Sequence, residues 1–312
     1  WVLKSQTSHL IIKKITSRSD TTLGKICDRI FTGIQTSADK EYILNSSDPT
    51  ISLIDKELLR PILFGKDVRR WTIRFRNNYL IYPHKKLSTK IVAISEKEMK
   101  NNYKKTWDYL NQAKIKQKLL SRDYLMKEIK SGNRKEWYEV WCQRDPEWFK
   151  AQKILTPALS DKANFTYDSE GYYFVSGSAG VYAIILDAGH SSTTFYKYIF
   201  GLLNSKLFDF LVKSISPMFS GGYYKYNTQY LEPLPITIPK KDTIDKVVKV
   251  VDDIMILNKQ LEMSNIKIDE SSRIQNKIKT INEKLNDLVY EIYNITQDER
   301  KIIETDLNDA GK

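Results

Sequence analysis

The sequence has few of the residues from which covalent frameworks and most active sites are built. Its 312 residues contain two cysteines, Cys27 and Cys142. They can make no disulfide framework and lack metal-ligand spacing, so lone buried thiols in a reducing, cytoplasmic compartment are expected. The three histidines, His9, His84 and His190, are isolated, which leaves a zinc site or a His-based nucleophile without support. A nuclease-type Mg²⁺ site needs clustered carboxylates; Asp48, Asp55 and Glu57 come nearest, and the accompanying Glu-x-Lys element is missing. No apolar run approaches the ~18 residues of a membrane span, so no membrane partner is expected. The glycines of Ser176-Gly177-Ser178-Ala179-Gly180 are not followed by Lys-Ser/Thr, so this flexible loop is not a P-loop.

Positive charge is plentiful and unevenly placed. Against a net charge of +12, residues 241–312 hold 12 Lys and Arg and 15 Asp and Glu, so the excess lies in residues 1–240. A globule that binds a polyanion, followed by a differently employed tail, has this distribution. The charge peaks in residues 60–90, where Arg60, Lys66, Arg69, Arg70, Arg74, Arg76, Lys85, Lys86 and Lys90 face one acid, Asp67. Trp71, Ile73 and Phe75 alternate with polar residues, and Tyr79 to Tyr82 follows the pair Asn77-Asn78. This pattern predicts two half-buried strands joined by a turn, with a cationic row on one face. Such a row is more often only a solvated face; its interleaved aromatics raise the nucleic-acid reading.

The phrases Phe64-Gly65-Lys66-Asp67-Val68-Arg69-Arg70-Trp71 and Tyr79-Leu80-Ile81-Tyr82-Pro83 resemble the TaqI-like C-terminal specificity domain of fused restriction–modification enzymes and N6-adenine DNA methyltransferases. Further phrases of the same kind follow in order. Phe31-Thr32-Gly33-Ile34-Gln35-Thr36 resembles the domain's entry, with Gly33 expected at positive φ. Trp137-Tyr138-x-x-Trp141 leads to Lys153-Ile154-Leu155-Thr156-Pro157; Leu203-Asn204-Ser205-Lys206-Leu207 and Phe219-Ser220-Gly221-Gly222-Tyr223-Tyr224-Lys225-Tyr226-Asn227 come later. The resemblance implies double-stranded DNA as partner. Candidate contacts are Gln35, Thr36, Lys66, Arg69, Arg70, Arg74, Lys150, Lys153, Lys225 and Asn227, with Lys225 and Asn227 as an outward pair and Trp71 in the core. It also implies a methyltransferase domain, with possible nuclease, upstream in a longer polypeptide. S-adenosylmethionine, and Mg²⁺ if a nuclease is present, would serve that parent. The Asn/Asp/Ser-Pro-Pro-Tyr/Phe loop that grips a flipped adenine is absent here, so no active site and no cofactor are expected within this chain.

The expected fold class is α+β: a mixed recognition globule with a twisted sheet over residues 21–240, then an antiparallel helical hairpin in 241–312. Residues 1–20, polar and without an initiator Met, are expected to be a linker from a missing upstream domain. Ser95-x-x-Glu98 is a capping box that opens one long lysine-faced helix up to Arg122. Residues 165–174 read as a hairpin around Ser169-Glu170-Gly171, and Tyr198 to Ile215 as one amphipathic helix. Two heptad seams, Val247 to Leu261 and Ile274 to Ile292, make the hairpin. Two readings compete with a fused-enzyme module: a type I specificity subunit, and a coiled-coil partner-binding protein with non-specific DNA affinity. An enzyme with an unseen site is a third.

Overall fold

The computed structural model describes residues 6–134, 136–262 and 266–309. Its centre is an antiparallel sheet in the order Thr166–Asp168, Lys153–Pro157, Val181–Leu186, Cys27–Thr32. Both faces of this sheet are covered, which is why Val181–Leu186 is apolar throughout. Strand side chains alternate sides, so Ile154, Ile184 and Leu186 enter one core while Leu155, Ala183 and Ile185 enter a second.

The first core is helical. The helices Thr193–Leu203 and Lys206–Ile215 lie over the sheet, and Lys241–Leu261 and Ile268–Ile292 pack on them. The last two helices also pack against each other, as the expected hairpin requires. Val247, Val251 and Leu285 are fully buried in this core, and Gly201 leaves room for them: a Cβ there would lie 2.8 Å from Val251 Cγ2. The hairpin is therefore part of the globule for much of its length. Gln297–Asp309 follows, capped by Thr296 and Glu299 in a reciprocal capping box.

The second core joins the other face of the central sheet to a second sheet, ordered Tyr173–Phe174, Leu59–Leu63, Asn78–Ile81, Ile43–Asn45. Tyr173–Phe174 runs parallel to Ile62 and Leu63; the other pairs are antiparallel. The α+β class and the helical C-terminal region are as the sequence predicts.

Several local expectations give way. The segment taken as a linker contains the helix Gln6–Arg18, whose Ile11 and Ile15 fall at i, i+4 and are buried in the first core. Ser8 Oγ donates to Asp306 at 2.8 Å and Lys14 Nζ to Glu299 at 2.7 Å; residues 1–5 lie outside the described chain. The two strands expected at 71–82 do not pair. Trp71, at φ 76°, turns Thr72–Ile73 back onto Val68–Arg69, while Asn78–Ile81 joins the second sheet. Burial of the Trp71 indole against Phe200, at 4.9 Å between centroids, fixes that turn. Thr166–Asp168 and Tyr173–Phe174 belong to different sheets and form no hairpin. The Asp168 carboxylate accepts from the amides of Glu170, Gly171 and Tyr172 and redirects the chain between them. The long lysine helix is broken at Tyr103 and at Asn111-Gln112 into Glu96–Asn102, Lys104–Leu110 and Ala113–Leu120. Helix 198–215 breaks at Asn204-Ser205, because Ser205 caps a new helix by accepting from Phe208.

Candidate nucleic-acid interface

The end of the central sheet at which Lys153–Pro157 finishes and Val181–Leu186 starts gathers the loops that the sequence singles out. They are joined backbone to backbone. Tyr226 N donates to Ala158 O at 3.0 Å, Ala158 N to Gly180 O at 2.9 Å, and Gly65 N to Ala179 O at 2.8 Å. On the far side Ser176 N donates to Ile34 O at 2.9 Å. The loop Ser176–Gly180 is thus the hub that ties together Gln35, the Lys66–Arg69 turn, Asp161-Lys162 and Lys225. It is held by small residues: a Cβ on Gly65 would stand 2.8 Å from Gly180 O, and one on Gly180 would stand 2.5 Å from Val175 O. Gly177, Ser178 and Ala179 are exposed, so the hub offers backbone with little side-chain bulk. The sequence marks this segment only as a flexible loop, whereas its backbone is bonded to three other segments; the signal for a hub is five consecutive small residues between two buried strands.

The ten expected contact residues divide. Gln35 and Lys66 are exposed at the hub, and Arg69 is half-buried beside it with Nη1 donating to Val68 O at 2.9 Å. Lys225 Nζ lies 5.8 Å above the Phe219 ring. Lys66, Arg69, Lys162 and Lys225 have no carboxylate in ion-pair range among the described residues. Arg74 is exposed next to this group, its amide donating to Asp67 O at 2.8 Å. Asp67, the one acid of the basic stretch, is buried and spent within the turn: it accepts from Phe64 N at 2.7 Å and pairs with Arg76 at 2.9 Å.

The other candidates are not placed to touch a ligand. Thr36 is fully buried, its hydroxyl bonded to Asp39 and to the amide of Ala38. Lys153 is fully buried and paired with the equally buried Asp168 at 2.7 Å; burial pushes its ammonium pKa down and Asp168 opposes that shift. Arg70 donates to Asn204 O at 2.6 Å, and burial lowers its pKa to about 10. Its Nε is sealed from solvent without a partner. Asn227 stands at the N-terminal end of the short helix Thr228–Leu231 without a side-chain capping bond and turns its Oδ1 inward, so it does not pair outward with Lys225. Lys150 is exposed but lies at the opposite end of the sheet, paired with Glu147 at 2.8 Å.

Gly33 has its place for another reason than the expected positive φ. A Cβ there would fall 1.9 Å from Phe174 O, so glycine is required where the entry strand passes that backbone. Asn204 acts as a clamp: it accepts from Phe165 N and donates to Phe165 O, each at 3.1 Å, while Trp71 N donates to that same carbonyl at 3.0 Å. The Asn-Ser phrase thereby fixes the turn that carries Arg69. Among the described residues no group of His, Cys, Asp and Glu could hold a metal ion.

Residues 60–236 match the family model of the TaqI-like C-terminal specificity domain. This chain belongs to that family. The specificity domain is similar to the type II methyltransferase M.BanIII of Aneurinibacillus aneurinilyticus, 25% identical over 281 residues, which is 88% of this chain and 45% of that protein. It is also similar to the type II restriction enzyme and methyltransferase RM.Eco57I of Escherichia coli, 28% identical over 81% of this chain and 26% of that protein. A third relative, the type II methyltransferase M.BstVI of Geobacillus stearothermophilus, is 21% identical over 83% of this chain and 42% of that protein. The chain thus spans less than half the length of these relatives. The family match leaves out the edge strand Cys27–Thr32 and the C-terminal helices, yet both complete cores of the specificity domain.

Proposed function

We infer that the chain is the sequence-reading part of a restriction–modification enzyme, binding duplex DNA for a methyltransferase domain that its parent polypeptide supplies. The single observation that carries this reading is the convergence of unpaired cations and Gln35 on loops locked to one rigid hub. Lys66, Lys162 and Lys225 are suited to phosphates, which set affinity and register. Arg69 and Arg74 can present two donors to guanine, and Gln35 can pair with adenine. Membership of the specificity-domain family and the methyltransferase relatives support the same reading, and nothing favours the type I subunit or the coiled-coil partner. S-adenosylmethionine, and Mg²⁺ if the parent also cleaves, would act in the other domains.

Selection of the purified chain against a random duplex pool at two salt concentrations tests this. Enrichment of one short motif is expected. Steeply salt-dependent binding without enrichment would reduce the module to a non-specific clamp, and no binding at low salt would end the DNA reading.

A further inference from the structure

The strands Met218–Phe219 and Tyr223–Lys225 form a short hairpin with Ser220-Gly221-Gly222 at its tip. Phe219 and Tyr223 are direct cross-strand partners. They are 51% and 45% exposed; Met218 is 55% and Ile215, at the end of the preceding helix, 42%. Four of the twelve exposed large hydrophobic side chains among the described residues therefore fall within nine residues. Core formation does not account for Phe219 and Tyr223, which share one face of the pair, because Tyr224 on the other face supplies the hairpin's buried side. The water-facing side of an antiparallel pair is ordinarily polar, and a clustered apolar face marks a surface that meets a partner.

Three features say which partner. The tip is slim: Gly221 and Gly222 have φ of 77° and 79°, and a Cβ on Gly222 would meet nothing within 4 Å. Lys225 packs its ammonium over Phe219, whereas the buried centres of protein–protein interfaces are depleted in lysine. The hairpin is also tied, through Leu159-Ser160 and Ala158, to the hub that carries Lys66 and Arg69. On these loops the one exposed carboxylate is Asp161. Aromatic faces between cations suit nucleobases, which stack on them without regard to sequence, and apolar side chains that enter a base step do so beside held phosphates.

We propose that this hairpin enters the base stack of a bound duplex, with Phe219 and Tyr223 as an apolar wedge and the cations of the hub loops on the adjoining phosphates. The inference rests on the DNA reading above and goes beyond it, since a specificity module could read groove edges without unstacking any step. Unstacking costs free energy that a gap in the stack removes, so the wedge has a signature that needs no knowledge of the target site.

The purified chain is titrated with a short duplex of mixed sequence, fully paired or with one central abasic position, at low and moderate salt. The wild type should bind the abasic duplex about tenfold more tightly than the paired one. The double variant Phe219→Ser, Tyr223→Ser should bind both alike while keeping the wild-type salt slope, and Phe219→Trp should retain the preference. Both positions are exposed, and unchanged circular dichroism confirms folded variants. A preference that survives in the double variant, or a wild type that binds DNA with no preference, overturns the wedge and leaves the DNA reading standing. The latter result together with binding of a purified methyltransferase domain through Phe219 would reassign the patch to protein docking. Failure of the wild type to bind either duplex removes both inferences.

Discussion

Lys66 and Lys150 are both exposed lysines of the specificity domain, but their neighbours differ. Lys66 sits at the hub with no carboxylate in range, and Lys150 pairs with Glu147 at the opposite end of the sheet. Lys66→Ala should weaken binding to all duplexes alike and lower the slope of log affinity against log salt by about one. Lys150→Ala should leave that slope unchanged, and equal losses for the two would show that the cations act as a diffuse field. Lys153 lies at the other extreme. Removing its charge as Lys153→Met strands the Asp168 carboxylate in the core, so a loss of roughly 3–5 kcal/mol in urea unfolding is expected. Composition cannot separate these three lysines, because the difference lies in which carboxylate the fold brings to each. His84 shows the same limit. It is buried against Tyr82, at 4.9 Å between ring centroids, with neither ring nitrogen hydrogen-bonded. Burial lowers its pKa from 6.5 to about 3, with Arg134 and Arg122 adding to the effect. The unfolded chain therefore takes up a proton that the native state refuses. The contribution of His84 is fully present above pH 6.5 and declines as pH falls from there toward about 3, by up to about 1.4 kcal/mol per pH unit. Relative to wild type, His84→Phe should gain stability along that slope below pH 6; a difference independent of pH would contradict the assignment.

At the scale of elements, what the sequence reveals depends on whether the signal is local. The Ser95 cap and the heptad pair were readable because periodicity and capping are properties of neighbouring residues. The pairing of Asn78–Ile81 was not, since nothing near it in sequence names Leu59–Leu63 and Ile43–Asn45 as its partners. The helix Gln6–Arg18 was missed for a related reason. Its polar composition resembles a linker, and its packing partner, the helix Gln297–Asp309, lies far away in sequence. Glycine 33 was noticed for the wrong property. The lack of a side chain matters there less for backbone freedom than for close approach, since a Cβ would fall 1.9 Å from Phe174 O, so Gly33→Ala must push two strands apart. A destabilisation of about 1–3 kcal/mol is expected, together with weaker DNA binding, because Gln35 lies two residues on and the Ile34–Ser176 bond is part of the hub. A melting temperature equal to wild type would mean that the entry strand can move aside freely.

For the whole molecule, the sign change of charge near residue 240 suggests a boundary that the packing does not respect. Val247, Val250, Val251 and Ile254 from one helix and Leu285 and Val289 from the next are buried in the same core as Tyr198, Phe200 and Leu203. The hub rests on this core: Asn204 clamps Phe165, Phe165 holds Trp71, and Trp71 packs on Phe200. The C-terminal helices are therefore expected to support recognition through the fold and not only as a spacer. Ending the chain at residue 240 should expose this apolar face and abolish cooperative unfolding in urea. A milder form of the same test is Gly201→Val. The new side chain starts 2.8 Å from Val251 Cγ2 and should cost about 1–3 kcal/mol by overpacking, while leaving every candidate DNA contact chemically intact. If the shortened chain unfolds cooperatively and keeps the wild-type salt slope, the helices are an appendage after all. If Gly201→Val lowers stability and DNA affinity together, recognition and the helical layer form one structural unit.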